Sequence, residues 1–597
     1  MTAKARAAVS IVGLAAAVAF FAATTTAQQV PTEQGHVTHL LNRIGYGPRP
    51  GDIERVRSMG YEAYLEQQLH PATIPDPVAD AKVSGYQIRR MDYARLLADD
   101  RPAAAIAVRR RETPIRKVML AERVAAGDAV MVETAEPDST KAIAGALRNP
   151  LVSPMLTRQP DRPFDGPIFQ TRLLRAVHSE RQLLEVMVDF WFNHFNIRVG
   201  DPYLLTDWTQ QVIRPHAMGK FEDLLVATAT HPAMLLYLDN WLSAAPKEVI
   251  QERLKSWKPA SGENPALAVR HLAPYFEQSQ GLNENYGREL MELHTLGVDG
   301  GYTQQDVQEV AKAFTGWTMT GGRDDGTFQF LPLIHVSGDK TVLGRTIESG
   351  GKEEGMEILR MLAHHPATAH YISFKLARRF IGDEPPEAVV GAAAQTFMDT
   401  GGDIPSVLRT ILTSEEFQAS ASYEVKIKKP WEMVISAFRA LDADIDPVPN
   451  SPTIALAFTT LRDMGEPFAN HEAPDGYPEV GSAWISTNTL FQRLEFAMKL
   501  TSGEVEGLRV NAKAAASLFR TLGYDTPSEE QITEARLLLA RRSARSAGSG
   551  AMGMMADEEM SPGMSRAEPS TQVAVDAMDD LAVMTALYLG SPRFQKR

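Results

Sequence analysis

The sequence predicts a mostly α-helical protein, one large multi-helix domain with a small β-hairpin insertion near residues 328–347. Three observations carry this. Apolar residues recur every three to four positions over long stretches, as on a buried helix face. Short runs of β-type residues occur in one region only. No repeat at a solenoid period is present in the 597 residues. Hydrophobic residues make up 44% and charged residues 23%, which is enough apolar surface for a large core.

At the start of the chain, Lys4 and Arg6 precede an apolar, Ala-rich run from Ala7 to Ala23, and small residues Thr25 and Ala27 stand just before Gln28. A basic segment, an apolar run and a small-residue site in that order form a secretory signal peptide. Residues 1–27 are therefore expected to be removed, leaving a periplasmic or secreted protein. No later segment is apolar over enough residues to span a bilayer.

The mature part, 28–540, reads as the main helical domain. Its first stretch is helix, turn, helix, short break, helix, with the turn marked by Gly45, Gly47, Pro48 and Pro50 and the next start near Asp52. Residues 76–165 are mixed, with a basic cluster at Arg109, Arg110 and Arg111, and Pro150, Pro154, Pro160 and Pro163 mark an exposed connection. From Gln170 to about Asn240 the helical spacing is dense. A second helical run covers 282–317. Then FQFLP and KTVLGRTI, separated by Ser337-Gly338-Asp339, predict the hairpin. Helices resume over 355–417, 430–441 and 487–500. Residues 541–570 are rich in Gly, Ser, Ala and Met and predict a disordered loop, after which 571–597 predict a helix that packs back on the main domain. The glycine pattern GSGAMG from Gly548 follows no strand and carries no dinucleotide-binding reading. The methionines Met552, Met554, Met555, Met560 and Met564 are soft Cu(I)-type donors, but their setting is that of a linker.

Charge excludes some functions. The formal net charge is −13, and removal of 1–27 takes away Lys4 and Arg6 and no acid, leaving −15. A general nucleic-acid binder needs a basic surface to displace counterions, so no nucleic-acid partner is expected. The absence of cysteine excludes disulfides, thiolate ligands and a thiol nucleophile. G-x-S-x-G, H-E-x-x-H, P-loop and EF-hand patterns are also absent, and no cofactor is indicated.

The densest polar cluster is NENYGRELMELHTLGVDGGYTQQDVQEVAKAFTGW, residues 283–317. On a regular helix Asn285, Arg288, Glu289 and Glu292 share one polar arc about 100° wide, beside an apolar arc of Leu282, Tyr286, Leu290 and Leu293. Two carboxylates three residues apart, with an arginine, have the makings of an acid–base pair or of half a metal site. They equally suit a structural Arg/Glu network. His294 lies roughly 140° round from Glu289 unless the helix breaks near Leu293, so no metal ligand set is assigned. Thr303 and Asp306 read as a capping box. Asn193 and His194 sit among Phe190, Trp191, Phe192 and Phe195, a setting that suits a hydrogen-bonded core histidine as well as a ligand. One of His364 and His365 packs at the start of the helix that follows Pro366. PDGYP at Pro474 is a turn that leaves Tyr477 exposed for binding.

Taken in order, HLLNRIGYGPRPGDIERV, DFWFNHFNI, HPAMLLYLDN, NENYGRELMELHTLGVDGGYTQQDV with AFTGW, HPATAHYISFKLARRF, and MGEPF with PDGYP resemble the bacterial family catalogued as domain of unknown function 1800. The segments run from about residue 36 to 500. The sequence departs from similar proteins at His471, where they carry an aromatic or apolar residue. The resemblance implies an exported, largely helical protein, and association with another exported family, domain of unknown function 1501. It brings no catalytic residues with it.

Two readings follow. One is an exported enzyme, hydrolase-like and acid–base or metal-assisted, acting on envelope or extracellular material through Glu289, Glu292 and Arg288, with Asn285, His194 and Tyr477 in binding. The other is a non-catalytic envelope or partner-binding protein whose polar motifs maintain the fold.

Overall fold

The computed structural model describes residues 32–84, 167–198, 202–256, 281–319, 327–448, 451–503, 505–533, 536 and 580–597. The signal segment, the Arg109–Arg111 cluster, the proline-rich connection and the 541–570 segment lie outside the described residues. What is described is mostly α-helix with small two-stranded sheets. No helix among the described residues is long and apolar enough to cross a membrane.

The first helix, Glu33–Ile44, starts on Thr32, whose side chain accepts from Gly35 N and so satisfies one of the orphan donors at a helix start. Val37, Leu40, Leu41 and Ile44 are buried, the spacing of one helical face. The turn that follows is held by Asp52, which accepts from Arg49 N at 2.9 Å. Helices Asp52–Met59 and Tyr61–Leu69 complete the predicted trio.

Two helices are buried on all sides, as befits elements at the centre of a large domain. In Gln182–His194 every residue except Asn193 is buried, and in Pro430–Ala440 every residue is. Trp191 packs edge-on to Phe190 and tilted against Phe195 and Phe221, Phe195 stacks on Phe221, and Trp191 Nε1 donates to Ala217 O at 3.1 Å. Truncating Trp191 to Ala would cost about 3–5 kcal/mol on the scale of core aromatics.

Charges inside these helices need partners. Glu185 meets Arg214, Asp189 meets Arg172 at 2.7 Å, and Arg439 meets Asp52 at 3.1 Å. Glu432 meets both Arg379 and Arg597 at 3.0 Å. Arg597 is 3% exposed. It is held by a short antiparallel pairing in which Arg597 N donates to Lys426 O at 2.8 Å and Lys428 N donates to Gln595 O at 2.8 Å. The helix Asp580–Gly590, just before it, packs on Thr487–Thr501 and Ala512–Thr521.

The β region differs from expectation in its pairing. The predicted runs do not pair with each other. Phe328–Phe330 pairs with Trp317–Met319, and Lys340–Val342 forms its own hairpin with Arg345–Ile347. The Leu343-Gly344 turn, with both residues at positive φ, closes a two-residue hairpin of the kind such conformations favour, so KTVLGRTI folds on itself.

Candidate functional site

Asn283 fixes the start of the acidic helix, its Nδ2 donating to Leu238 O and Asp239 O and its Oδ1 accepting from Asn285 N at 2.9 Å. Asn285 itself is exposed. Gly287 lies against the helix Gln304–Ala313, where a Cβ would stand 3.0 Å from Val307 O, so a glycine here lets the two helices approach. The predicted capping box is present: Thr303 accepts from Asp306 N, and Asp306 accepts from Thr303 N.

The helix is α over Asn285–Glu289 and becomes π over Leu290–Thr295, with Leu296 N donating to Met291 O at 2.9 Å. The extra residue in this turn corrects the regular-helix projection. Met291 and His294 turn into the core, while Leu282 and Leu293 are only half-buried. His294 stands apart from the carboxylates, as expected for a helix that does not end at Leu293, and its ring lies 6.3 Å from that of His194.

Arg288 also departs from expectation. It pairs with Glu284 at 3.2 Å and donates to Gln304 Oε1 at 3.0 Å, because the i−4 carboxylate and the neighbouring helix are within reach of its fork. It forms no ion pair with Glu289 or Glu292. Glu292 accepts from the Tyr302 hydroxyl at 3.2 Å. Glu289 has no hydrogen bond or ion pair among the described residues. Burial, then the charges of Glu292 and Asp475, raise its carboxyl to about 7 against the weaker pull of Arg288.

Asp475 comes from the PDGYP turn, which is clipped to the end of the aromatic helix. Asn193 Nδ2 donates to Tyr477 O at 2.8 Å, and Tyr477 N donates back to Asn193 Oδ1 at 2.7 Å. Gly476 has φ +74°, and a Cβ there would lie 2.3 Å from Asn193 O. Asn196 Nδ2 donates to Ala473 O at 2.7 Å, and the Tyr237 hydroxyl donates to Glu472 O at 2.7 Å. Tyr477 is half-buried rather than exposed, its hydroxyl donating to Pro467 O at 2.7 Å; the turn folds it inward against MGEPF. His471 Nε2 lies 2.9 Å from Asp475 Oδ1.

His194 is buried, with Nε2 3.2 Å from the His294 carbonyl and Nδ1 2.9 Å from Lys375 Nζ. Only an Nε2–H can donate to a carbonyl, so Nδ1 is the acceptor. Burial, then the Lys375 charge, pushes both imidazoles down, His294 to about 3. Burial also lowers Lys375 to about 8. Next to them Glu479 accepts from Lys429 and from Asn193 Nδ2, at 2.9 and 3.1 Å. Burial alone would raise Glu479, but Lys429 and Arg379 hold it at about 2.

The structure therefore gathers Glu289, Glu292, Asp475 and the Asn193–Tyr477 clip on one side, and His194 with His294 and Lys375 on the other. Tyr371 links them: Lys375 Nζ lies 5.5 Å from its ring centroid, and the charge of Glu292 reaches its hydroxyl. Lys375 escaped the sequence reading. Its signal was a lysine on the apolar stripe between Ile372 and Leu376 of HPATAHYISFKLARRF. In the same segment His365 is the packing histidine, its Nδ1 accepting from Ala367 N at 3.2 Å.

Among the described residues no group of three or more His, Asp or Glu side chains could hold a metal ion. Thr315, His335 and Glu354 line up in the order of a hydrolytic triad, at 3.2 and 3.1 Å. Thr315 is fully buried and its hydroxyl also donates to Lys312 O, so this constellation ties the β region to the helix Lys352–Ala363.

The family described as "Protein of unknown function (DUF1800)" matches residues 39–596. No curated protein and no solved structure matches the chain.

Proposed function

The chain belongs to the DUF1800 family, whose match spans nearly all of it, and we propose that it is an exported enzyme with hydrolase-like acid–base chemistry on envelope or extracellular material. The observation that carries this is Glu289, a half-buried carboxyl without a hydrogen-bond or ion-pair partner among the described residues, raised to about 7 beside Glu292. A carboxyl poised near neutrality is suited to deliver a proton to a leaving group. Glu292, oriented by the Tyr302 hydroxyl, is placed to serve as the basic member. Arg288, held by Glu284 and Gln304, acts as a positioning residue for the helix face. Asn285, exposed at the helix start, and Tyr477 with the loop it anchors are assigned to binding.

Export rests on Lys4, Arg6, the apolar run to Ala23 and the Thr25/Ala27 site. Intact mass of protein from the native host is expected to begin at or near Gln28; a retained Met1 overturns this part.

The catalytic part is tested on the purified chain with panels of envelope glycans and of chromogenic esters, glycosides and phosphates. A turned-over substrate is expected to lose at least a hundredfold in kcat with Glu289→Gln or Glu292→Gln, and wild-type activity to fall as pH rises through about 7, where Glu289 loses its proton. Full activity in both variants would refute it.

A second reading, an envelope protein that binds a partner from the family domain of unknown function 1501, draws on Ile485 and Phe491, which are 46% and 61% exposed. Co-purification with such a partner that is lost in Phe491→Asp, with no turnover of any substrate, would favour it.

A further inference from the structure

The acid–base pair leaves one cluster unused. Three buried lysines among the described residues have carboxylate partners: Lys340 meets Glu354, Lys426 meets Asp383 at 2.6 Å, and Lys429 meets Glu479 at 2.9 Å. Lys375 has no ion pair among the described residues, and its hydrogen bond goes to the ring nitrogen of His194 at 2.9 Å. Lys428 likewise has no carboxylate partner among the described residues, but it is 4% exposed and lies 3.9 Å from the Phe594 ring centroid, sealed from solvent. Lys375 is only half-buried.

The partner of Lys375 is fixed rather than incidental. His194 stacks parallel to Phe190 and edge-on to Trp191 and Phe195, and its Nε2–H is spent on the His294 carbonyl. Its Nδ1 lone pair therefore faces Lys375. The second imidazole, His294, is 1% exposed and its Nε2 has no hydrogen-bond partner among the described residues, so the cluster holds a further polar atom.

We propose that Lys375 is a nucleophilic amine that condenses with the carbonyl carbon of a small aldehyde or ketone, with His194 as its proton acceptor. A bond forms from Nζ to the carbonyl carbon as the C=O π bond opens onto oxygen. One nitrogen proton passes to Nδ1 of His194 and is returned to that oxygen. A second nitrogen proton follows, the oxygen leaves as water, and an imine remains, with no change of oxidation state.

The electrostatic setting of Lys375 favours the neutral amine. Glu479 and Asp475 act on Lys375 from the loop side and favour its charge; Arg378 on its own helix and Lys429 oppose it. Burial outweighs them all and leaves the amine at about 8. At pH 7 such an amine is unprotonated roughly two hundred times more often than an ordinary lysine. This inference stands independently of the Glu289 reading.

The test treats the purified chain with acetaldehyde and sodium cyanoborohydride at pH 7 and follows each lysine by peptide mapping. Lys375 is expected to be ethylated at least tenfold faster than the exposed Lys352, with a rate that levels off above about pH 8. Lys428 should stay unmodified. Folded His194→Gln protein should label Lys375 at least fivefold more slowly. Labelling of Lys375 no faster than Lys352 in the wild-type protein overturns the proposal whatever the variants do. An unaltered rate in folded His194→Gln overturns the role given to His194.

Discussion

Glu289→Gln keeps the shape of the side chain and removes its charge, and the structure gives the change an unusual sign. Arg288 is occupied by Glu284 and Gln304, so the substitution strands no cation. It relieves a carboxylate that burial and its neighbours disfavour. The folded carboxyl binds its proton more tightly than the unfolded one, with a pKa of about 7 against 4.5. Its contribution to stability is therefore complete below about pH 4.5 and lost as pH rises through 7. At about 1.4 kcal/mol per pH unit, ionisation at pH 8 costs at most about 3.5 kcal/mol. Solvent screening of a half-buried group reduces this to roughly 1–2 kcal/mol. Urea unfolding of both proteins at pH 4.5 and pH 8 is expected to give nearly equal stabilities at the lower pH. The Gln variant should be more stable by that amount at the higher pH. A variant less stable than wild type at pH 8 would show that Glu289 has a structural partner and would refute the reasoning.

Glu432→Ala leaves the buried guanidiniums of Arg379 and Arg597 without their shared carboxylate. Urea unfolding should register a loss of about 3–5 kcal/mol, and a loss below about 1 kcal/mol would mean that the pair is neutralised in another way. Gly476→Ala sets a Cβ against Asn193 O at a positive φ. It should free the 470–480 loop, seen as faster amide exchange there, and lower any hydrolytic activity at least tenfold; unchanged exchange would show that the clip is not a constraint on the loop.

Local rules made much of the helix pattern legible. The opening trio of helices, the Thr303/Asp306 box and the start after Pro366 follow from caps, breakers and spacing within a few residues of chain. The β region was legible in kind and wrong in pairing, because strand choice depended on where Trp317–Met319 was carried by the helix before it. Partner choice among long polar side chains was less legible still. A helical wheel places Arg288, Glu289 and Glu292 together, but Gln304 on the next helix captures the arginine, and nothing in the spacing announces that.

By itself the sequence determined the mostly α class, the candidate carboxylates and the aromatic setting of His194, since each depends on residue type and short-range periodicity. Only the tertiary structure decided what these groups do to one another. The ring of His294 lies 6.3 Å from that of His194, a residue 100 positions earlier in the chain. Lys375, 181 residues from His194, arrives at 2.9 Å, and Asp475 reaches Glu289 from a turn clipped to Asn193. Hydrogen bonds and desolvation act over a few ångströms, whereas these partners are far apart along the chain, so their meeting is a property of the packed core.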